Sequence, residues 1–351
     1  MKTRNQLCPC GSGLKFKRCH GAPSGSPVSD RWSKNDVDTR FEAIRVGRRT
    51  PKDGHRLNIM HGRLTIIEKP GIYDLADLGD LGGSLLQVCG LKDGELTAAT
   101  GTAFMIAPGI AITAAHVLDE LEAGGYAVEA IGPGFGGSLT WWRAVMIYRL
   151  GLVDGHGDVK SQYDLAAFTM EPVSDQGTEL VLVQTVVSPE SPRVGDDVMV
   201  LGFRAENGVP DQIALMASRG RVVQCFPNGR DRSMLPNPCF EAELDIWGGM
   251  SGGAVVNSHG ELVGIASTSV TAISRTSYVS LLTPIDKLTV RPHWPPGWYD
   301  GEELTVSDAV AQLAERCPPP PSYSLHKHHR VDLEQLGIRF PAPLQQRRPR
   351  R

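Results

Sequence analysis

Along residues 61–295 the apolar side chains come in short runs, separated by Gly, Pro, Asn and Asp. Twelve of these runs read as strands: 84–89, 97–106, 109–114, 141–148, 165–170, 179–184, 197–203, 213–225, 240–244, 254–257, 261–267 and 278–285. Short strands at close spacing point to a barrel or sandwich and not to alternating β-α units. Two six-stranded antiparallel β-barrels would use all twelve, so the expected fold class is all-β. The pattern differs on either side of this region. Residues 21–60 are polar, with a Gly, Ser and Pro run at 21–27, and read as a linker with room for one short helix. Beyond Pro292 a helix is expected over 307–316, with Ser307 as cap, Asp308 favouring its N-terminus, and Val310, Leu313 and Ala314 as an apolar face. The prolines at 318–321 end it, and a basic, Pro-broken tail follows. The expected units are therefore 1–24, a linker at 25–60, a main domain at 61–295, and a helix plus tail at 296–351.

Composition sharpens this outline in two places. The 39 glycines and 25 prolines suit a turn-rich β protein, within an otherwise ordinary soluble balance of 41% hydrophobic and 21% charged residues. The net charge of −3 conceals an uneven distribution. Residues 1–20 carry five basic and no acidic side chains, and residues 322–351 carry seven basic and two acidic, which leaves an acidic middle between basic ends. Such ends suit RNA, a ribosome or an acidic partner surface, and equally suit plain solubilising arms. The first residues lack an apolar stretch that would read as a secretory signal, and no run is long enough for a membrane span. A cytoplasmic setting without membrane attachment is the expectation, with thiols reduced. Three of the seven cysteines fall in the first twenty residues, which argues for metal and against disulfides.

Three segments carry catalytic chemistry. Gly101-Thr102-Ala103-Phe104 leads into Ala111-Ile112-Thr113-Ala114-Ala115-His116, which sets an imidazole at a strand end. Tyr163-Asp164-Leu165-Ala166 opens an apolar strand with an acid. Gly248-Gly249-Met250-Ser251-Gly252-Gly253 places a serine in a glycine-rich turn ahead of a buried strand. A serine hydroxyl is a weak nucleophile at neutral pH and needs an adjacent base. Histidine titrates near the working pH, and a buried carboxylate fixes its tautomer. The glycines would let the backbone N–H groups of Gly249 and Ser251 converge as an oxyanion hole. Each element alone is ordinary; the order His, Asp, Ser within one β-rich region gives the set its weight.

Residues about 80–290 resemble the trypsin-like (chymotrypsin-fold) serine peptidases, nearest their Deg branch. Besides the triad segments, the resemblance rests on Val194-Gly195-Asp196-Asp197 with Val200-Leu201-Gly202-Phe203, on Gly264-Ile265-Ala266-Ser267, and on the closing strand at 278–285. It implies a serine endopeptidase with two perpendicular barrels, a His116–Asp164–Ser251 triad between them, and an acyl-enzyme intermediate on peptide or protein substrates. It also implies that Ser267 hydrogen-bonds the catalytic Asp, and that Asp245, Ala266, Ser267, Thr268 and Ser269 line the substrate pocket. Asp245 would suit a basic side chain there, whereas the small residues suit a medium apolar one; both stay open. The sequence departs from secreted members in showing no Ile-Val-Gly-Gly start, and no peptide-binding domain of the Deg type is expected after the last strand.

The N-terminal unit reads independently. Cys8, Cys10, Cys19 and His20 put three thiolates and an imidazole within thirteen residues, enough to close a tetrahedral Zn²⁺ site with a structural role. The Cys-x-Cys-x8-Cys-His spacing, with Gly-Ser-Gly and Lys-Phe-Lys, resembles the SEC-C motif, which implies docking onto a protein partner or the ribosome. The leading expectation is thus an endopeptidase targeted by a zinc motif, with the 248–251 turn ordered when a partner or substrate docks. Its alternatives are a catalytically latent scaffold with a protease fold and a ribosome- or RNA-associated binding protein.

Overall fold

In the computed structural model, which describes residues 42–45, 56–61, 70–75, 84–133, 139–153, 159–173, 179–184, 187–188, 190–205, 213–269, 276–295, 297–299 and 301–316, eighteen strands and two helices follow one another. In chain order these are β1 (Glu42–Arg45), β2 (Arg56–His61), β3 (Gly71–Leu75), β4 (Leu85–Lys92), β5 (Glu95–Ala107), β6 (Ile110–Thr113), α1 (Ala115–Ala123), β7 (Ala127–Pro133), β8 (Leu139–Val153), β9 (Val159–Pro172) and β10 (Glu179–Gln184). The second half holds β11 (Asp197–Ala205), β12 (Ile213–Phe226), β13 (Cys239–Ala242), β14 (Ala254–Asn257), β15 (Leu262–Ser269), β16 (Ser277–Leu281), β17 (Thr289–Val290), β18 (Leu304–Thr305) and α2 (Val306–Arg316).

Two closed six-stranded antiparallel barrels result, the chymotrypsin-like architecture that the resemblance implied. The first runs β8-β7-β4-β5-β6-β9 and closes through β8–β9. The second runs β11-β14-β15-β16-β13-β12 and closes through β11–β12. Each barrel has one long strand that also picks up an N-terminal strand. β8 pairs with β7 over its first residues and with β1 through residues 146–149; β12 pairs with β3 through residues 215–219 and with β13 further on. Among the N-terminal strands, β1 and all of β2 except His61 come from the stretch 25–60 that reads as a linker.

The membership of the first barrel corrects the expectation. The run 179–184 is a strand, but it lies outside the barrel and pairs in parallel with β2. Its place is taken by β7, whose Glu129 gives the run a surface-like pattern. Glu129 is fully buried, because Trp141 Nε1 and Arg143 Nε on neighbouring β8 each donate to its carboxylate at 2.7 Å. A buried carboxylate is tolerated when its acceptors are filled in this way.

Strand alternation explains the apolar run of β11. Met199, Leu201 and Phe203 face the first barrel's core, while Val198 and Val200 face the second. Both faces are therefore dry, and neither can carry the polar residues of a half-exposed strand. The same split recurs on β14, with Ala254 and Val256 on one side and Val255 on the other.

The C-terminal segment packs on the first core through Leu288, Trp294 and the α2 residues Val306, Ala309 and Leu313. Trp142 and Trp294 meet edge to face with centroids 5.0 Å apart. The helix starts one residue earlier than expected, and its cap is Thr305 and not Ser307. Asp308 N–H donates to Thr305 Oγ1 (3.0 Å), and Thr305 N–H donates back to Asp308 Oδ2 (3.3 Å), a reciprocal capping box. The Ser307 hydroxyl instead donates to Asp286 O at 2.6 Å, tying the helix to the preceding turn.

Candidate active site

The site is built from the end of β6 upward. Extended backbone at Ala114 turns the chain into α1, whose second residue is His116. Ala115, Val117, Leu118 and Leu121 hold the helix to the barrel, leaving His116 exposed on the other face. Its backbone N–H donates to Asp164 Oδ1 at 3.1 Å, and its ring Nδ1 lies 2.9 and 3.1 Å from the two carboxylate oxygens. An ionised carboxylate can only accept, so Nδ1 carries the proton and Nε2 is left as the basic nitrogen.

Asp164, on β9 of the first barrel, is held by side chains of the second. The Ser267 hydroxyl donates to Oδ2, Asn237 Oδ1 accepts from the Asp164 N–H (3.2 Å), and the Ser280 hydroxyl donates to its carbonyl (3.0 Å). Burial alone would push the carboxyl up. The hydrogen bond and charge of His116, with the Ser267 hydrogen bond, outweigh it and hold Asp164 below the usual carboxylate range. Burial likewise pulls His116 down, but the Asp164 hydrogen bond and charge, joined by Asp119 and Glu120, carry it above its ordinary value.

A buried arginine fixes the helix that carries His116. Arg149 on β8 donates Nε to Asp119 and Nη2 to Glu122, both at 2.8 Å, with its side chain only 6% exposed. The two acids are three residues apart on one helical face, so a single guanidinium spans both.

Ser251 enters from the second barrel. Its hydroxyl donates to Ser267 O at 3.2 Å, not to His116, so Ser267 touches both Ser251 and Asp164. Ser267 sits where the β15–β16 register shifts between Ala266 and Thr268, a bulge that re-aims its side chain. The turn ahead of Ser251 is fixed one peptide plane at a time. Thr102 Oγ1 donates to Gly249 O (2.7 Å) and Met250 N–H to Trp247 O (3.0 Å), while Met250 O accepts from Gly253 N–H (2.9 Å). Ser251 O accepts from Thr102 N–H, and Gly252 N–H donates to Ala266 O, both at 2.7 Å. Among the described residues, the Gly249 and Ser251 N–H groups have no acceptor.

Gly249 has φ +90° and Gly252 φ +82°, backbone that side-chain-bearing residues rarely adopt. A Cβ on Gly252 would also lie 2.1 Å from Thr102 O and 2.2 Å from Thr113 Oγ1.

Residues 101–265 match the family model of the trypsin-like peptidase domain, a span that holds His116, Asp164 and Ser251. Residues 4–22 match the SEC-C motif, a span that includes Cys8, Cys10, Cys19 and His20. Solved structures similar to the chain include the active form of the Rv3671c protease of M. tuberculosis, at 19% identity and TM-score 0.41, covering 58% of this chain and 78% of that one. The inactive form of a serine-to-alanine mutant of Rv3671c from the same organism has 18% identity and TM-score 0.39, covering 68% of this chain and 90% of that one. The serine endoprotease of Yersinia pestis has 19% identity and TM-score 0.38, covering 58% and 61%. No curated protein matches the chain.

The remaining expected site residues fall as follows. Asp245 is half-buried, and its N–H donates to Ser218 Oγ at 2.9 Å, which braces the loop. Ala266 is fully buried among second-barrel core side chains, Thr268 is half-buried, and Ser269 pairs through its backbone with Ser277. The four N-terminal residues expected to bind metal lie outside the described residues; among those described, no cluster suited to a metal ion occurs. No helix among the described residues is long and apolar enough to cross a membrane.

Four residues of this site escape a reading of the sequence: Thr102 in its hydrogen-bonding role, Arg149, Asn237 and Ser280. Asn237 is fully buried beside a proline, and Ser280 sits in an apolar strand. A polar residue inside an apolar run was the available signal for Ser280.

Proposed function

We propose that this chain is a serine endopeptidase that uses Ser251 as nucleophile, His116 as general base and Asp164 as the group orienting it. The observation that carries the reading is the bonded pair of His116 and Asp164, linked through Ser267 to the Ser251 hydroxyl. In the resting arrangement that hydroxyl donates to Ser267 O. A substrate peptide N–H donated to the same carbonyl displaces it toward Nε2 of His116. His116 takes its proton as Oγ attacks the substrate carbonyl, and the Gly249 and Ser251 N–H groups receive the oxyanion. The imidazolium then protonates the leaving amine, and water, deprotonated by His116, hydrolyses the acyl-enzyme. The protein's part is to keep the imidazole in one tautomer and two donors pointed at one place.

The N-terminal motif supports a targeting role. Three thiolates and one imidazole fit a structural Zn²⁺, leave no open position for catalysis, and would present a small, basic docking surface to a protein partner or the ribosome. Thiolate ligands of this kind suit a reducing compartment such as the cytoplasm. Partner docking through this motif would then trigger or direct the peptidase.

The test is cleavage of an unfolded protein substrate by wild type, Ser251→Ala and His116→Ala. Cleavage by wild type that both substitutions abolish supports the proposal. Equal cleavage by wild type and Ser251→Ala overturns it.

A further inference from the structure

Thr102 lies on β5 of the first barrel, yet its hydrogen bonds go to the turn that carries Ser251. The residue is fully buried. Its hydroxyl donates to Gly249 O (2.7 Å) and accepts from the N–H of Phe203 on β11 (2.9 Å). Its own N–H donates to Ser251 O at 2.7 Å, and its carbonyl accepts from Thr113 Oγ1 at 2.7 Å. One residue therefore joins β5, β6, β11 and the turn.

The two carbonyls it holds are those of Gly249 and Ser251, the same residues whose N–H groups are free. Gly249 is a glycine at positive φ, so nothing in its own side chain resists rotation. Its orientation must be imposed from outside. The peptide plane between Gly249 and Met250 is gripped at its carbonyl by Thr102 and at its N–H by Trp247 O. The plane after Ser251 is gripped at its carbonyl by Thr102 and at its N–H by Ala266 O. The Thr102 side chain is well suited to this task. A β-branched residue in a strand is stiff about χ1, and the Phe203 N–H occupies one lone pair, so the hydroxyl proton is directed at Gly249.

We infer that Thr102 is a positioning residue for the oxyanion hole: from the opposite barrel, it holds the peptide planes that follow Gly249 and Ser251 and so fixes the turn from which their N–H groups are presented. The inference rests on the proposed peptidase reading. It predicts that the side chain acts on the transition state more than on substrate binding, because the oxyanion forms only there.

The test compares wild type with Thr102→Val, Thr102→Ala and Thr102→Ser. Wild type is first labelled at Ser251 with a fluorophosphonate; failure at that step removes the peptidase reading itself. With labelling established, Thr102→Val is expected to lower kcat roughly 10- to 100-fold with KM changed less than about threefold. Affinity for a peptide aldehyde, which forms a tetrahedral adduct on Ser251, should fall in parallel. Thr102→Ser keeps the hydroxyl and should restore most of the rate. Should Thr102→Val not fold, Thr102→Ala removes the hydroxyl without the second methyl group and is read the same way. Wild-type kcat in a folded variant lacking the hydroxyl, or a Thr102→Ser enzyme as slow as Thr102→Val or Thr102→Ala, overturns the inference while leaving the peptidase reading intact.

Discussion

The two halves of the candidate site are held together by different physics. On the first barrel, His116 and Asp164 are fixed by charge and by side chains: the carboxylate–imidazole pair, the Ser267 hydroxyl, and Arg149 clamping Asp119 and Glu122. On the second barrel, the Ser251 turn is fixed by backbone hydrogen bonds and by glycines that admit close approach. The first half can be retuned by pH and by conservative substitution. The second has no titratable part, and a single added methyl group is enough to disturb it.

A large effect is therefore expected from the smallest change on the second barrel. Gly252→Ala places a Cβ 2.1 Å from Thr102 O at a φ of +82°, so strand β5 or the turn must move. Activity should fall by about two orders of magnitude or more, read as kcat/KM, with a lower Tm. A near-wild-type rate would show that the turn is not sterically fixed. On the first barrel, Asp164→Asn removes the charge but keeps the shape. It should lower kcat by about 10⁴-fold through the wrong imidazole tautomer while Tm changes little.

Asn237→Ala should have a smaller effect. It leaves the Asp164 N–H without its acceptor at the barrel junction, at a cost of about 1–3 kcal/mol in stability measured by denaturant unfolding. A loss below this range would show that the junction is held by Ser267 and Ser280 alone. The mildest change is a shift with pH. Because His116 must be neutral to act as base and its pKa is raised, the acid limb of kcat/KM should lie above the ordinary histidine value of about 6.5. Asp119→Asn removes one negative charge that raises it and should move the limb down. An unchanged limb would separate Asp119 from the imidazole.

Stability follows the same pair with opposite signs. The raised His116 contributes stability fully present below the ordinary histidine value and lost as pH rises through its folded value. The lowered Asp164 contributes stability present above the ordinary carboxylate value and lost as pH falls through its folded value. Both contributions are complete between the ordinary aspartate and histidine values, about 3.9 and 6.5.

How much of this was legible in the sequence depends on whether a residue's partners are local. The second barrel's six strands could all be read, since β11 and β14 are apolar on both faces and stand out as runs. In the first barrel β7 could not, because Glu129 reads as surface until Trp141 and Arg143 are known to neutralise it. The short helix α1 was hidden for a related reason: three acids over nine residues break its apolar pattern, and two of them answer to Arg149, some thirty residues away. His116, Asp164 and Ser251 were legible as motifs. Asn237 and Ser280, which position Asp164, come from strands and loops far along the chain, and only the closed barrels bring them together.

The most direct measurement of the central claim is labelling of folded protein with a fluorophosphonate, with the adduct located by mass spectrometry. The account predicts modification of Ser251 in wild type, none in Ser251→Ala, and strongly slowed labelling in His116→Ala. A folded wild type that takes no label at Ser251, or a His116→Ala variant that labels as fast as wild type, would contradict it.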